Sequence, residues 1–72
     1  MSTEETLASK ARRVRADANT FFELSGGERI AVALILDRQD LLKQTYGTIL
    51  EAIDRLGPEW TEAALRVQRN GR

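Results

Sequence analysis

Seven consecutive apolar residues, from Ile30 to Leu36, limit the possible folds of this chain more than any other segment. On a helical wheel these side chains point in every direction, and a helix that is apolar all round must be covered all round. A buried strand is the alternative, because periodicity alone does not separate the two for a short apolar run. Ser25 and Glu28 have the spacing of a capping box, and the run contains two alanines. The pattern therefore favours a helix over residues 26–38.

The remaining sequence has the spacing of amphipathic helices. Apolar residues recur at alternating steps of four and three, which predicts helices over residues 3–22 and 40–56. The first set is Leu7, Ala11, Val14, Ala18 and Phe21, and the second is Leu42, Tyr46, Ile49, Ile53 and Leu56. Gly57-Pro58 ends the second of these helices and begins a last one over residues 58–69, with Trp60 on its apolar face.

The length of 72 residues indicates a single domain, residues 1–72, whose core alone supplies only about 3–5 kcal/mol of net stability. The chain has no cysteine for a disulfide and no histidine for a metal site, so self-association is the remaining source of stability. We therefore expect an antiparallel all-α domain of three to four helices that forms a homodimer. The predicted interface consists of apolar residues from the second and third helices: Ile30, Leu34, Ile35, Leu42, Tyr46, Ile49 and Ile53.

Residues 20–24 leave one alternative fold open. The aromatic pair Phe21-Phe22 favours a strand there. A strand followed by two helices would give a ribbon-helix-helix dimer, in which paired strands enter the DNA major groove. The helical spacing that runs through Phe21 argues against it.

Eleven acidic residues balance eleven basic ones, so no net charge draws the chain to nucleic acid or to a membrane. The densest local cluster of positive charge consists of Lys10, Arg12, Arg13 and Arg15. Such a cluster can contact phosphates. It can equally be a solvated helix face, because Glu4, Glu5 and Asp17 lie nearby. Arg66, Arg69 and Arg72 form a second, weaker patch, which extends the first if the two chain ends meet. A frayed tail explains these residues equally well.

Catalysis has little support in the sequence. The usual bases and nucleophiles, histidine and cysteine, are missing, and the carboxylates are scattered along polar helix faces. We predict no enzymatic activity, no cofactor and no metal site. The absence of cysteine fits a cytoplasmic location. The apolar run of Ile30 to Leu36 is far shorter than the roughly 20 residues that cross a bilayer, so we expect no membrane association.

The segment Leu24-Ser25-Gly26-Gly27-Glu28 resembles the signature motif of ABC-type ATPases, which binds a nucleotide phosphate at a helix start. Those proteins also carry a Gly-x-x-x-x-Gly-Lys-[Ser/Thr] loop, and this chain has none. A capped turn between two helices is the better interpretation of the segment.

Two longer segments, Leu24 to Arg38 and Ile53 to Trp60, resemble small uncharacterised proteins encoded on proteobacterial plasmids and mobile elements, some near conjugation or type IV secretion genes. The resemblance covers about half the chain. It implies no catalytic residues, and it favours a role in DNA maintenance or transfer.

Two functions follow from these observations as hypotheses. The first is a homodimer that binds nucleic acid through the basic residues of its first helix. The second is a protein–protein adaptor that uses the apolar second helix or Trp60. The sequence does not identify the partner, and it does not distinguish DNA from RNA.

Overall fold

The computed structural model describes the backbone of residues 2–70 and, within that range, every side chain except those of residues 43–46. The described residues form five α-helices and one 3₁₀ helix. These are α1 (Thr3–Ala16), the 3₁₀ helix (Ala18–Glu23), α2 (Gly26–Ile35), α3 (Gln39–Tyr46), α4 (Ile49–Leu56) and α5 (Pro58–Asn70). The predicted all-α class is confirmed for this part of the chain. No described helix has the length and apolar character needed to span a membrane.

Helix α2 lies at the centre of the molecule. Its residues Ile30 to Ala33 are at most 2% exposed, because α1, α3, α4 and α5 all pack against it. Trp60 lies beside Gly27 where α2 begins, and the Gln68 side-chain amide donates hydrogen bonds to the carbonyls of Leu34 (3.1 Å) and Ile35 (3.4 Å) where α2 ends. Helix α5 therefore runs beside α2 in the same direction. A single chain covers its own most apolar helix.

Both ends of α2 are closed by local hydrogen bonds. The predicted capping box is confirmed, since the Ser25 hydroxyl accepts from the Glu28 backbone N–H (3.3 Å) and the Glu28 carboxylate accepts from the Ser25 N–H (3.1 Å). The helix ends at Ile35 rather than at residue 38. Asp37 has a positive φ of 55°, and the Arg38 N–H donates to the Ala33 carbonyl (2.9 Å). This left-handed turn is a Schellman motif, with aspartate where glycine is most common.

The first helix is shorter than predicted, because it ends at Ala16 instead of continuing to residue 22. Asp17 is extended, and its carboxylate accepts a hydrogen bond from the Asn19 N–H (3.1 Å). This local bond competes with the helical pattern and starts the 3₁₀ helix. Ala18 is exposed as a result, although Phe21 is buried. The strand proposed for residues 20–24 was also wrong, since Thr20 to Glu23 belong to the 3₁₀ helix.

The helix predicted over residues 40–56 is two helices. Gly47 interrupts it with a positive φ of 78°, and the Thr48 hydroxyl then caps α4 by accepting from the Glu51 N–H (3.1 Å). Helix α3 begins at Gln39 without a side-chain cap. The Asp40 carboxylate accepts two hydrogen bonds from the Arg38 guanidinium (3.0 and 2.9 Å), which lowers the pKa of Asp40 below its ordinary value.

Candidate nucleic-acid interface

The four basic residues predicted as a nucleic-acid contact do not share one surface. The Lys10 side chain is half-buried, and its Nζ lies 3.8 Å from Glu28 Oε2 at the start of α2. Arg12, Arg13 and Arg15 are exposed on α1. Lys10 is therefore held towards the start of α2. Arg13 follows Lys10 by one helical turn, whereas Arg12 and Arg15 lie on another side of α1.

Arg13 has a weak intramolecular partner. One of its guanidinium nitrogens lies 3.9 Å from Glu23 Oε1, and both side chains are more than half exposed. Exposed ion pairs of this length contribute little to stability, since water and salt screen them. The pairing leaves Arg13 available to an external anion.

Arg12 and Arg15 line one cavity of about 260 Å³ between α1, the end of α2 and α5. Its apolar lining consists of Ala8, Ala11, Ile35, Leu36 and Val67. Asp37 and Gln68 supply the other polar groups. Among the described side chains, no carboxylate forms an ion pair with Arg12 or Arg15. The two arginines are one helical turn apart, so the cavity brings together two guanidinium groups and a single carboxylate.

Arg12 also lines a neighbouring cavity, together with Glu4, Glu5 and Arg66. The Arg66 guanidinium donates a 2.9 Å hydrogen bond to Glu4 Oε1, and this bond raises the pKa of Arg66 above its ordinary value. The sequence suggested that Glu4 dilutes the positive charge of α1. In the structure, Arg66 offsets the charge of Glu4, so Glu4 does less to weaken the field around Arg12.

The first turn of α1 and the last turn of α5 meet at this second cavity, since Asn70 also lines it. Of the basic residues of α5, Arg66 lies beside α1, as the suggested extension of the first patch requires. Arg69 is exposed, whereas Arg66 is engaged by Glu4. Arg72 lies outside the described residues.

The residues predicted for a dimer interface are mostly inside the single chain. Ile30, Ile35 and Leu42 are 2%, 7% and 2% exposed, respectively. The other described members, Leu34, Ile49 and Ile53, are half-buried. The Tyr46 side chain lies outside the described part of the structure. A second copy is therefore not needed to cover the first three residues.

Trp60 is half-buried against the start of α2. A Cβ atom added at Gly27 would lie 3.7 Å from Trp60 Cζ3, which is ordinary van der Waals contact. Trp60 therefore fixes the position of α5 on α2, and only part of its ring is left for an external partner.

Sequence reasoning missed Asp37 and Gln68 in the cavity beside Arg12. Asp37 is placed there by its left-handed turn, and Gln68 by its hydrogen bonds to the end of α2. Aspartate directly after an apolar helix is a weak signal for such a turn. No local pattern places Gln68, because its partners are more than thirty residues away in sequence.

Comparison with known proteins gave no match: no family model, no curated protein and no solved structure is significantly similar to this chain. The arguments for function therefore rest on the residues and their geometry.

Proposed function

We propose that this chain is a non-enzymatic binding protein that contacts nucleic-acid phosphates through Arg12, Arg13 and Arg15 of α1. The observation that carries the proposal is the pair of exposed guanidinium groups at Arg12 and Arg15, which have no ion-pair partner among the described side chains. Guanidinium groups bind phosphate oxygens in a bidentate manner. Two of them, one helical turn apart, can contact one phosphate or two neighbouring phosphates.

The net charge of zero determines what kind of binding to expect. Without a long-range field, affinity depends on the few phosphates that are contacted directly. Three contacts give a slope of about −2.7 in a plot of log affinity against log salt. Binding should be weak, and it should be most easily measured at low ionic strength.

A titration of a fluorescent DNA duplex at several salt concentrations tests the proposal. Arg12→Ala and Arg15→Ala should each weaken binding and reduce the salt slope by about one. Arg55→Ala is the matched control, because it removes one exposed positive charge from α4 and should leave binding unchanged. Asp37→Asn should strengthen binding, since it removes the carboxylate from the cavity and asparagine tolerates the left-handed backbone. Equal effects of Arg12→Ala and Arg55→Ala would contradict the proposal.

We also propose that the chain forms a homodimer and acts in the cytoplasm, as an accessory factor of a mobile element. The absence of cysteine is compatible with a reducing compartment. The role in a mobile element rests on the resemblance of Leu24 to Arg38 and of Ile53 to Trp60.

The adaptor hypothesis requires α2 or Trp60 to contact a partner, and little of their apolar surface is exposed. Four consecutive residues of α2, Ile30 to Ala33, are buried, and the Trp60 ring packs in part on Gly27. Apolar side chains are exposed elsewhere, at Phe22, Leu50 and Leu65. A protein interface would have to include these residues.

A further inference from the structure

The outer surface between α4 and α5 carries apolar side chains that the core leaves uncovered. Leu50 is 80% exposed and Leu65 is 44% exposed. Two adjoining cavities, which share Ile53 and Thr61, form a continuous groove between the two helices. We call this surface the α4–α5 face and define it by Leu50 and Ile53 of α4, Leu65 of α5 and Leu34 at the base of the groove.

Helix α4 does not need Leu50 for its own packing. Ala52 is its fully buried residue, and Ile49 and Leu56 pack beside it against the core. Leu50 lies on the outer side of Ile53, one turn before Asp54, which lines the groove. A single exposed leucine is common, but a leucine that adjoins an apolar groove extends the contiguous apolar surface that a partner can cover.

The charges on α5 show what kind of molecule fits. Glu62, Leu65 and Arg69 are separated by three and four residues, so they lie along one exposed stripe of the helix. With a rise of 1.5 Å per residue, Glu62 lies about 4.5 Å before Leu65 and Arg69 about 6 Å after it. An antiparallel copy of the stripe, related by a two-fold axis near Leu65, would place each Glu62 opposite the partner's Arg69.

The two charged groups are available for such a contact. Arg69 has no ion-pair partner among the described side chains. Glu62 is 3.9 Å from a nitrogen of Arg66, whose closer partner is Glu4 at 2.9 Å. The stripe is therefore complementary to itself in charge, which is what a two-fold interface between identical chains requires.

We infer that a second copy of this chain docks on the α4–α5 face, with α5 packed antiparallel to the partner's α5 around Leu65. The inference rests on the proposed self-association and names its surface. Residues of α5 that line the α1 side, such as Val67 and Asn70, point away from Leu65. The dimer therefore leaves Arg12, Arg13 and Arg15 of both copies exposed.

Sedimentation velocity over a range of protein concentrations tests this interface. The wild-type chain should pass from monomer to dimer, and Leu65→Glu should raise the dissociation constant at least about tenfold. Phe22→Glu is the matched control, because it places the same charge at an exposed apolar site outside the α4–α5 face, and it should leave the dimer intact. Circular dichroism of each variant checks that it is folded.

A charge exchange gives a second test that does not depend on Leu65. Arg69→Glu and Glu62→Arg should each weaken the dimer, and the double variant should restore it, because the opposed pairs form again with reversed sign. Failure of the double variant to recover would overturn the inference. So would a wild-type chain that stays monomeric, a Leu65→Glu variant that still dimerises, or growth into open polymers.

The outcome is separable from that of the nucleic-acid proposal. Leu65→Glu should bind the DNA duplex as a monomer with its Arg12 contact intact, whereas Arg12→Ala should dimerise normally and bind DNA poorly. A dimer that depends on Leu65 but does not bind DNA supports the interface alone. DNA binding by a chain that never dimerises overturns the interface alone.

Discussion

At the scale of single residues, Gly27 and Gly47 place opposite demands on the backbone. Gly27 is helical, and an added Cβ would meet Trp60 at 3.7 Å without a clash. Gly27→Ala should therefore stabilise the protein by about 0.5–1 kcal/mol, because alanine has the higher helix propensity. Gly47 has a φ of +78° and a ψ of −67°, which an L-residue adopts only with strain. Gly47→Ala should destabilise the protein by roughly 1–3 kcal/mol.

Urea unfolding of the two variants measures both free energies, and each variant serves as a control for the other, since both add one methyl group. If both substitutions changed the free energy of unfolding in the same direction, either the contact of Gly27 with Trp60 or the strain at Gly47 would be contradicted. The sequence pattern marks Gly27 as part of a helix start, but the helix predicted over residues 40–56 runs through Gly47. Only the backbone angles show which of the two needs glycine.

At the scale of the helices, two serine caps allow a matched comparison. Ser25 caps the central helix α2, whereas Ser2 caps the outer helix α1 close to the first residue of the chain. Ser25→Ala should cost about 1 kcal/mol, because it leaves the Glu28 N–H without its partner. Ser2→Ala should cost less, since residues 2–6 are exposed or half-buried and the first turn of α1 can open without unpacking the core. Thermal unfolding followed by circular dichroism compares the two, and an equal loss would contradict this ranking.

The elements that could be predicted are those whose signals are local. The capping box of Ser25 and Glu28 located the start of α2, and Gly57-Pro58 located the start of α5. The end of α1 was missed, because the Asp17 carboxylate competes for a backbone N–H while the apolar spacing continues to Phe21. The start of α4 had a visible signal that was passed over, since Thr48 and Glu51 also have capping-box spacing.

The candidate site was predicted only in part, for a related reason. The sequence identified the arginines of α1, but it could not show that Lys10 is drawn to Glu28 while Arg12 and Arg15 share a cavity. Those differences depend on how α1 lies across α2 and α5. Tertiary packing, rather than any local pattern, determines them.

At the scale of the whole molecule, the buried side chains form one cluster to which every described helix contributes, so the chain should unfold as a single unit. Leu7 is fully buried and belongs to α1, whereas the only tryptophan, Trp60, packs where α2 and α5 begin. Leu7→Ala should cost about 2–5 kcal/mol. A net stability of about 3–5 kcal/mol is expected at this length, so the substitution should remove most of it.

Two optical probes test this cooperativity in the Leu7→Ala variant. Far-ultraviolet circular dichroism reports all the helices, and Trp60 fluorescence reports the contact of α5 with α2. The midpoints of both unfolding transitions should shift together to lower urea concentration. The reason is that the lost packing of Leu7 destabilises a core that all the helices share. If helicity fell while the Trp60 signal stayed native, α1 would fold independently of the rest. In that case the arginines of α1 would be carried by a separable arm, and their geometry beside Asp37 and Gln68 would not persist in solution.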